Sequence, residues 1–421
     1  MVLAAVRRHR PIPVQPQDIV VIDHTRLHAQ ARPVGDVLGQ VVERDGRRDG
    51  GDRACGKHSH PHHPHACPLF PETGACLLPS RDRRAAGSDR FGGDAPRSGS
   101  GPPRQGGAGS DHFGSSPVPV LCQEAIDEPQ TLAEDGLDIS LIICTRDRAA
   151  QLGGCLEAVA GLRFSGSWEL VMVDNGSTDR TRATIEAFAA RVPFPVRIVH
   201  QPMPGLSNAR NAGLAAAAGR LIAFTDDDCY PDPALLTRTV AAFAQPELGY
   251  VSGRILLHDP ADFPATVNES TQPRRFPPGR YLPPGAIRGA NLAFRRAALD
   301  AIGGFDPLFG SGARFPAEDI DAACRCSLRG WTGAYDPGIV VSHHHGRKAA
   351  DVRGLFQAYD YGRGAYHAKL LLHDRAPRAA LRGWAGLPRR IRARPSTLWW
   401  ELAGAAGYAR SYFARPRGRA R

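Results

Sequence analysis

The chain has 421 residues, 42% apolar and 7% aromatic, enough for one large core or two ordinary ones. Gly (46) and Pro (36) make up nearly a fifth of it, so part of the length is expected to build no core. A net charge of +11 favours acidic partners such as nucleotide phosphates, an anionic membrane surface or nucleic acid. Nine scattered cysteines exclude a disulfide scaffold, and no apolar run reaches the roughly 20 residues that span a bilayer.

In chain order, residues 1 to about 136 are dominated by Gly, Pro, Arg, Asp, His and Ser. Segments such as Gly92-Gly-Asp-Ala-Pro-Arg-Ser-Gly-Ser-Gly-Pro-Pro103 cannot bury enough surface to offset chain entropy, so a disordered extension is expected here. Within it, Ile19-Val-Val-Ile22 can form one short strand. The Cys55 to Cys67 tract is rich in His but lacks Cys-x-x-Cys spacing and a flanking core, and reads as solvated rather than as a zinc site. The only methionines are Met1, Met172 and Met203. A misassigned gene start is therefore one expectation for this segment. The start carries no secretory pattern, and a cytoplasmic location is expected, at most at the inner face of the plasma membrane.

From Leu137 the text changes. Ile139–Cys144, Trp168–Val173, Val196–Val199 and Leu221–Thr225 are short apolar runs that read as buried strands. Ala149–Leu162, Thr181–Ala190 and Leu206–Ala218 between them read as helices, the second with Ser177 or Thr178 as a cap and Asp179 at its positive end. Alternation of this kind predicts an α/β fold with a mostly parallel sheet flanked by helices, and ligands beyond the strands' carboxyl ends. A domain over 137–365 follows. The Pro-rich run Arg274–Arg280 reads as a mobile loop within the stretch His258 to Pro284. Residues 366–421 read as a basic, aromatic tail in which Arg389, Arg390, Arg392 and Arg394 precede Trp399 and Trp400, a composition suited to peripheral contact with an anionic membrane.

Four polar clusters fall in order along the 137–365 region. They are Thr145-Arg-Asp147, Asp174-Asn-Gly-Ser-Thr-Asp179, Asp226-Asp-Asp228 and Glu318-Asp319. Three consecutive carboxylates at a strand end repel one another unless a cation sits among them, and hard divalent cations take oxygen ligands. In an extended turn alternate residues share a side, so Asp226 and Asp228 can converge while Asp227 faces away.

The motifs Ser140-Leu-Ile-Ile-Cys-Thr-Arg146, Val173-Asp-Asn-Gly-Ser-Thr-Asp179, Gly205-Leu-Ser-Asn-Ala-Arg-Asn-Ala-Gly213, Phe224-Thr-Asp-Asp-Asp228, Gly303-Gly-Phe-Asp306 and Glu318-Asp-Ile-Asp321 with Arg325 resemble those of a family 2 glycosyltransferase with a GT-A fold. The resemblance implies a metal-dependent inverting enzyme that takes a nucleotide-diphosphate sugar and transfers it to a glycan, lipid-linked or other cell-envelope acceptor. It implies Asp319 as catalytic base with Glu318 orienting it. Thr145, Asp147, Asp174, Asn208, Arg210, Asp226 and Asp227 become donor-binding residues, Asp174 at the base. Gly289, Ala290 and Asn291 shape the sugar and acceptor pocket. Mg²⁺ or Mn²⁺ would be held by Asp228 and Asp226, with His343 or His345 completing the shell. Gly346 separates the His cluster from Arg347, which leaves a phosphate-clamping role for that Arg open.

Two rivals are weaker. A nucleotidyltransferase of similar fold would want a Gly-rich phosphate loop after the first strand, and Thr145-Arg-Asp-Arg148 has no glycine. A nucleic-acid-binding protein fits the charge, but no such motif is present, and no nucleic acid is expected as partner.

Overall fold

The computed structural model describes residues 19–22 and 136–414. Apart from the short strand, the expected disordered extension, with its His-rich tract and gene-start reading, lies outside these residues. The first half runs β1 (Ile19–Ile22), β2 (Ile139–Thr145), α1 (Leu152–Ala160), β3 (Trp168–Asp174), α2 (Thr181–Ala189), β4 (Val196–His200), α3 (Leu206–Ala216), β5 (Leu221–Asp226), β6 (Cys229–Pro231) and α4 (Leu235–Ala242). The second half adds β7 (Leu248–Leu257), β8 (Arg274–Phe276), β9 (Asn291–Arg295), α5 (Arg296–Ile302), α6 (Glu318–Leu328) and β10 (Thr332–His343), then the helices α7 (Val352–Leu372), α8 (Pro377–Ala385), α9 (Leu387–Ala393) and α10 (Thr397–Ala414).

The strands form one mixed sheet of order β1-β4-β3-β2-β5-β9-β7-β10-β6, with β8 also on β10. Its centre, β4-β3-β2-β5, is the parallel α/β unit that the alternation implied. β9 then runs antiparallel to both β5 and β7. Successive residues of a strand face opposite sides, and both sides are covered. Leu170 and Met172 join the layer containing α1, α2 and α4, whereas Val171 and Val173 join the layer containing α3, α5 and α6. Each such side chain fully buried contributes about 1.5–3 kcal/mol.

This topology gathers chemistry at one edge. Thr145, Asp174, Asp226 and His343 all end strands that run in the same direction. Asn291, which starts β9, pairs with Thr225 at that same edge.

Two expectations are corrected. Arg274–Phe276 is not a mobile loop but the edge strand β8, paired with Gly333–Tyr335. Buried Phe276 anchors it, and Gly279 N donates to Ser327 O at 2.7 Å. Pro277 and Pro278 end the strand because they cannot donate to a ladder. Residues 366–414 are not a tail separate from the domain: α7 runs across the expected boundary at 365, α8 and α10 pack on it, and α9 packs on α8 and α10. Tyr408 is fully buried against Phe309 and Phe315. Arg390 pairs with Glu401 at 2.7 Å and Arg394 with Asp360 at 2.7 Å, so two arginines of the basic run are neutralised inside the fold. No helix among the described residues is long and apolar enough to cross a membrane.

Candidate active site

Asp227 and Asp228 form the turn between β5 and β6. The turn separates the triplet as its spacing implied. Carboxylate oxygens of Asp226 and Asp228, Sγ of Cys229 and a ring nitrogen of His343 all lie within 4.8 Å of one another. Asp227 faces away and meets Arg148 at 3.8 Å. Burial pushes the Asp227 carboxyl up to about 6, partly opposed by Thr145 and Arg148. Burial would raise Asp228 as well, but the hydrogen bond and charge of His343 outweigh it and hold Asp228 below the usual carboxylate range. His343 Nε2 stands 3.2 Å from Asp228 Oδ1, and its Nδ1 is 3.3 Å from the Thr266 hydroxyl, which orients the ring. Two carboxylates and an imidazole so oriented fit a divalent cation of the Mg²⁺ or Mn²⁺ kind. Burial and the two nearby carboxylates keep the Cys229 thiol protonated, which leaves oxygen and nitrogen as the working donors.

His345 turns elsewhere. Its Nδ1 accepts from Arg347 N at 3.0 Å and lies 3.7 Å from Asp262, and it stands outside the group around Asp228. A second acidic group, Asp259 and Asp262 with His344, already holds Lys348, whose Nζ is 2.6 Å from Asp262.

One buried guanidinium joins the triplet to the distant carboxylates. Arg210 of α3 reaches Glu318 of α6 at 3.1 Å and Asp226 of β5 at 3.5 Å, and donates to Gly289 O at 3.3 Å. It lies over the rings of Phe224 and Phe305. A Cβ on Gly289 would come within 2.8 Å of its Nη2, so a larger residue there displaces the guanidinium.

Asp319 sits beside this pair on the first turn of α6. Gly289 N donates to its Oδ2 at 2.8 Å, and Ile320 N to its Oδ1 at 2.7 Å. Burial and then the Glu318 charge push its carboxyl up to about 6, against the pull of these donors and of Arg210. The residue before Glu318, Ala317, is left-handed at φ 102°, a strained position for a side-chain-bearing residue. Pro316 is wedged against Gly362 of α7, where a Cβ would lie 2.5 Å from Pro316 O.

The remaining expected residues line or brace this edge. Asp174 is buried, accepts from Ser177 N at 2.9 Å and lies 3.7 Å from His200 Nδ1. Asp147 locks two loops together, its Oδ1 accepting from Thr178 N at 2.7 Å while its own N donates to Ser177 Oγ. That backbone donor holds the Asp147 carboxyl below its ordinary value. Thr145 is buried at the end of β2. Asn208 donates to Pro204 O in the loop before α3, and Asn211 exchanges two bonds of 2.8 Å with the Phe305 backbone, which ties α3 to the segment after α5. Asn291 turns its amide into the sheet, donating to Arg254 O and Ile339 O, while Ala290 O accepts from Thr225. Sequence reasoning missed His200, Arg148 and Thr266. Only Arg148, one residue past the first cluster, carried a signal.

Residues 140–303 match the model of Glycosyl transferase family 2. This region is a family 2 glycosyltransferase domain. A pre-mycofactocin glycosyltransferase of Mycobacterium tuberculosis (strain CDC 1551 / Oshkosh) is 26% identical over 221 residues, 51% of this chain and 44% of that protein. A dodecaprenyl-phosphate galacturonate synthase of Rhizobium johnstonii is 33% identical over 120 residues, 28% and 36% of the two chains. This chain thus spans less than half the length of these relatives. Among solved structures, a mannosyltransferase of Pyrobaculum calidifontis, determined with GDP-Man and Mn²⁺, is similar at 22% identity and a TM-score of 0.45, covering 66% of this chain and 76% of that one. The architecture around the family 2 region, a mixed sheet with helices on both faces and its acidic edge at the strands' carboxyl ends, is of the GT-A type.

Proposed function

We propose that the protein is a metal-dependent inverting glycosyltransferase, moving a sugar from a nucleotide-diphosphate donor to a hydroxyl of a glycan or lipid-linked cell-envelope acceptor. The observation that carries this reading is Arg210, whose single buried guanidinium ties Asp226 of the metal-compatible group to Glu318 beside Asp319. Asp228, Asp226 and His343 would hold Mg²⁺ or Mn²⁺. When bound there, such a cation offsets the charge that grows on the departing nucleoside diphosphate. Arg347, whose charge also reaches Asp228, adds a second cation on the diphosphate side.

Asp174 accepts from the donor base, with Thr145 and Asp147 fixing the loop around it, while Asp227 and the α3 loop at Asn208 border the ribose and sugar. Asp319 takes the proton of the acceptor hydroxyl as that oxygen bonds the anomeric carbon. The bond from that carbon to the diphosphate oxygen breaks, the diphosphate keeps the electron pair, and attack on the opposite face inverts the centre. Glu318, held by Arg210, positions Asp319, and Gly289 and Ala290 leave room for the sugar.

Similarity to a dodecaprenyl-phosphate galacturonate synthase supports a lipid-linked acceptor. Peripheral membrane contact belongs to the same proposal, supported by Trp399, Leu402 and Phe413, which α10 leaves exposed beside Arg410. The test is Asp319→Asn. Transfer should fall by about 10²- to 10⁴-fold while nucleotide-sugar binding, read by calorimetry, stays intact. Unchanged turnover would refute the assignment.

A further inference from the structure

Two arginines, Arg254 and Arg288, form no ion pair among the described residues. Arg254 lies on β7 two residues after Ser252, so their side chains leave the strand on one face. Ser252 Oγ is 3.5 Å from Arg288 N, and Tyr335 of β10 stands in register with Ser252. This puts Arg254, Arg288 and Tyr335 on the same face. Burial pushes the Tyr335 hydroxyl up and Asp336 adds to that shift, while the charges of both Arg254 and Arg288 oppose it. Each arginine encloses its Nε with no hydrogen-bond partner, and neither forms an ion pair among the described residues. By contrast, Arg210, Arg325 and Arg363 are paired with carboxylates, and Arg295 and Arg296 donate to backbone carbonyls.

The pair also adjoins the chemistry. Arg288 immediately precedes Gly289, whose N–H holds Asp319 Oδ2 at 2.8 Å. The Tyr335 hydroxyl donates to Ser270 O at 2.6 Å, which fastens the 258–284 stretch over this face. Two neighbouring cations left without a partner repel each other and raise the energy of the free protein, and an anion placed between them removes that cost.

We infer that Arg254 and Arg288 form an anion subsite that receives a phosphate or carboxylate group carried by the acceptor, next to Asp319. The inference rests on the glycosyl-transfer reading and names the acceptor class as anionic. The protein's own contribution is to seat that group so that a hydroxyl nearby in the acceptor meets Asp319.

The test uses the full chain with Mg²⁺, saturated with whichever of UDP, dTDP or GDP it binds. Inorganic phosphate and acetate are then titrated by calorimetry at low ionic strength. The wild type should bind at least one of them, phosphate marking a phosphorylated acceptor and acetate a carboxylated one. Arg254→Gln with Arg288→Gln should weaken that binding by at least about tenfold, while the Lys pair retains most of it. Nucleoside-diphosphate affinity should stay unchanged in the Gln pair. Its melting temperature should not fall, because neither side chain bonds within the fold. Three results would overturn the inference. They are a wild type that binds neither anion, a Gln pair that binds as tightly as wild type, and a Gln pair that loses nucleoside-diphosphate affinity in the same proportion. If the wild type binds no nucleoside diphosphate, the donor reading fails instead, and the same titration of nucleotide-free protein still decides whether the pair holds an anion.

Discussion

A carboxylate that takes a proton from a hydroxyl works best when its own pKa lies near the operating pH. Asp319 is raised to about 6, first by burial and then by Glu318. In its proposed role as base only the ionised form accepts a proton, so kcat/KM should be full above pH 7 and fall about tenfold per pH unit below about 6. A pH–rate profile checks this, and a flat profile down to pH 5 would contradict it. At this scale the sequence was legible where spacing along one strand decided the outcome. Period-2 alternation separated Asp227 from Asp226 and Asp228. It could not separate His343 from His345, because Thr266 and Asp262 decide which way each ring turns, and both sit on a loop some 80 residues upstream. His200 escaped notice for the same reason, since it meets Asp174 only through the register of β3 and β4.

Among elements, α3 shows how one motif serves two ends. The sequence read a helix over Leu206–Ala218, and α3 over Leu206–Ala216 presents Arg210 to the site. Gly213 itself has a packing role. A Cβ there would lie 2.6 Å from Ile142 and 3.0 Å from Val173, so only glycine lets α3 approach β2 and β3 this closely. Gly213→Val should lower stability by about 1–3 kcal/mol in urea unfolding, and would move Arg210 with the helix. An unchanged midpoint would contradict the close packing. The strands β2 to β5 were readable because each is a short apolar run bounded by polar residues. β8 was not, because Arg274-Arg-Phe276 has one apolar residue and becomes a strand only against β10.

At the scale of the whole molecule, the C-terminal helices were the least legible part. Composition showed arginines and aromatics but not their partners. Glu401 lies 11 residues from Arg390, and Asp360 lies 34 from Arg394. Such pairs form only once α7, α9 and α10 come together. Tyr408→Ala should therefore destabilise the protein by about 3–5 kcal/mol, the range for emptying a large aromatic site, as read by thermal unfolding. No loss would mean that α10 is dispensable to the fold. The proposed activity rests on the acidic edge holding a cation together with a nucleotide sugar. The most direct measurement is thermal unfolding with UDP-, dTDP- and GDP-sugars, with and without Mn²⁺, for the wild type and Asp228→Asn. One nucleotide class should stabilise the wild type only when Mn²⁺ is present, by about 2.7 kcal/mol at a hundredfold excess over Kd, and should leave Asp228→Asn unmoved. Equal stabilisation without metal, an unaffected Asp228→Asn, or no response to any nucleotide sugar would contradict the account.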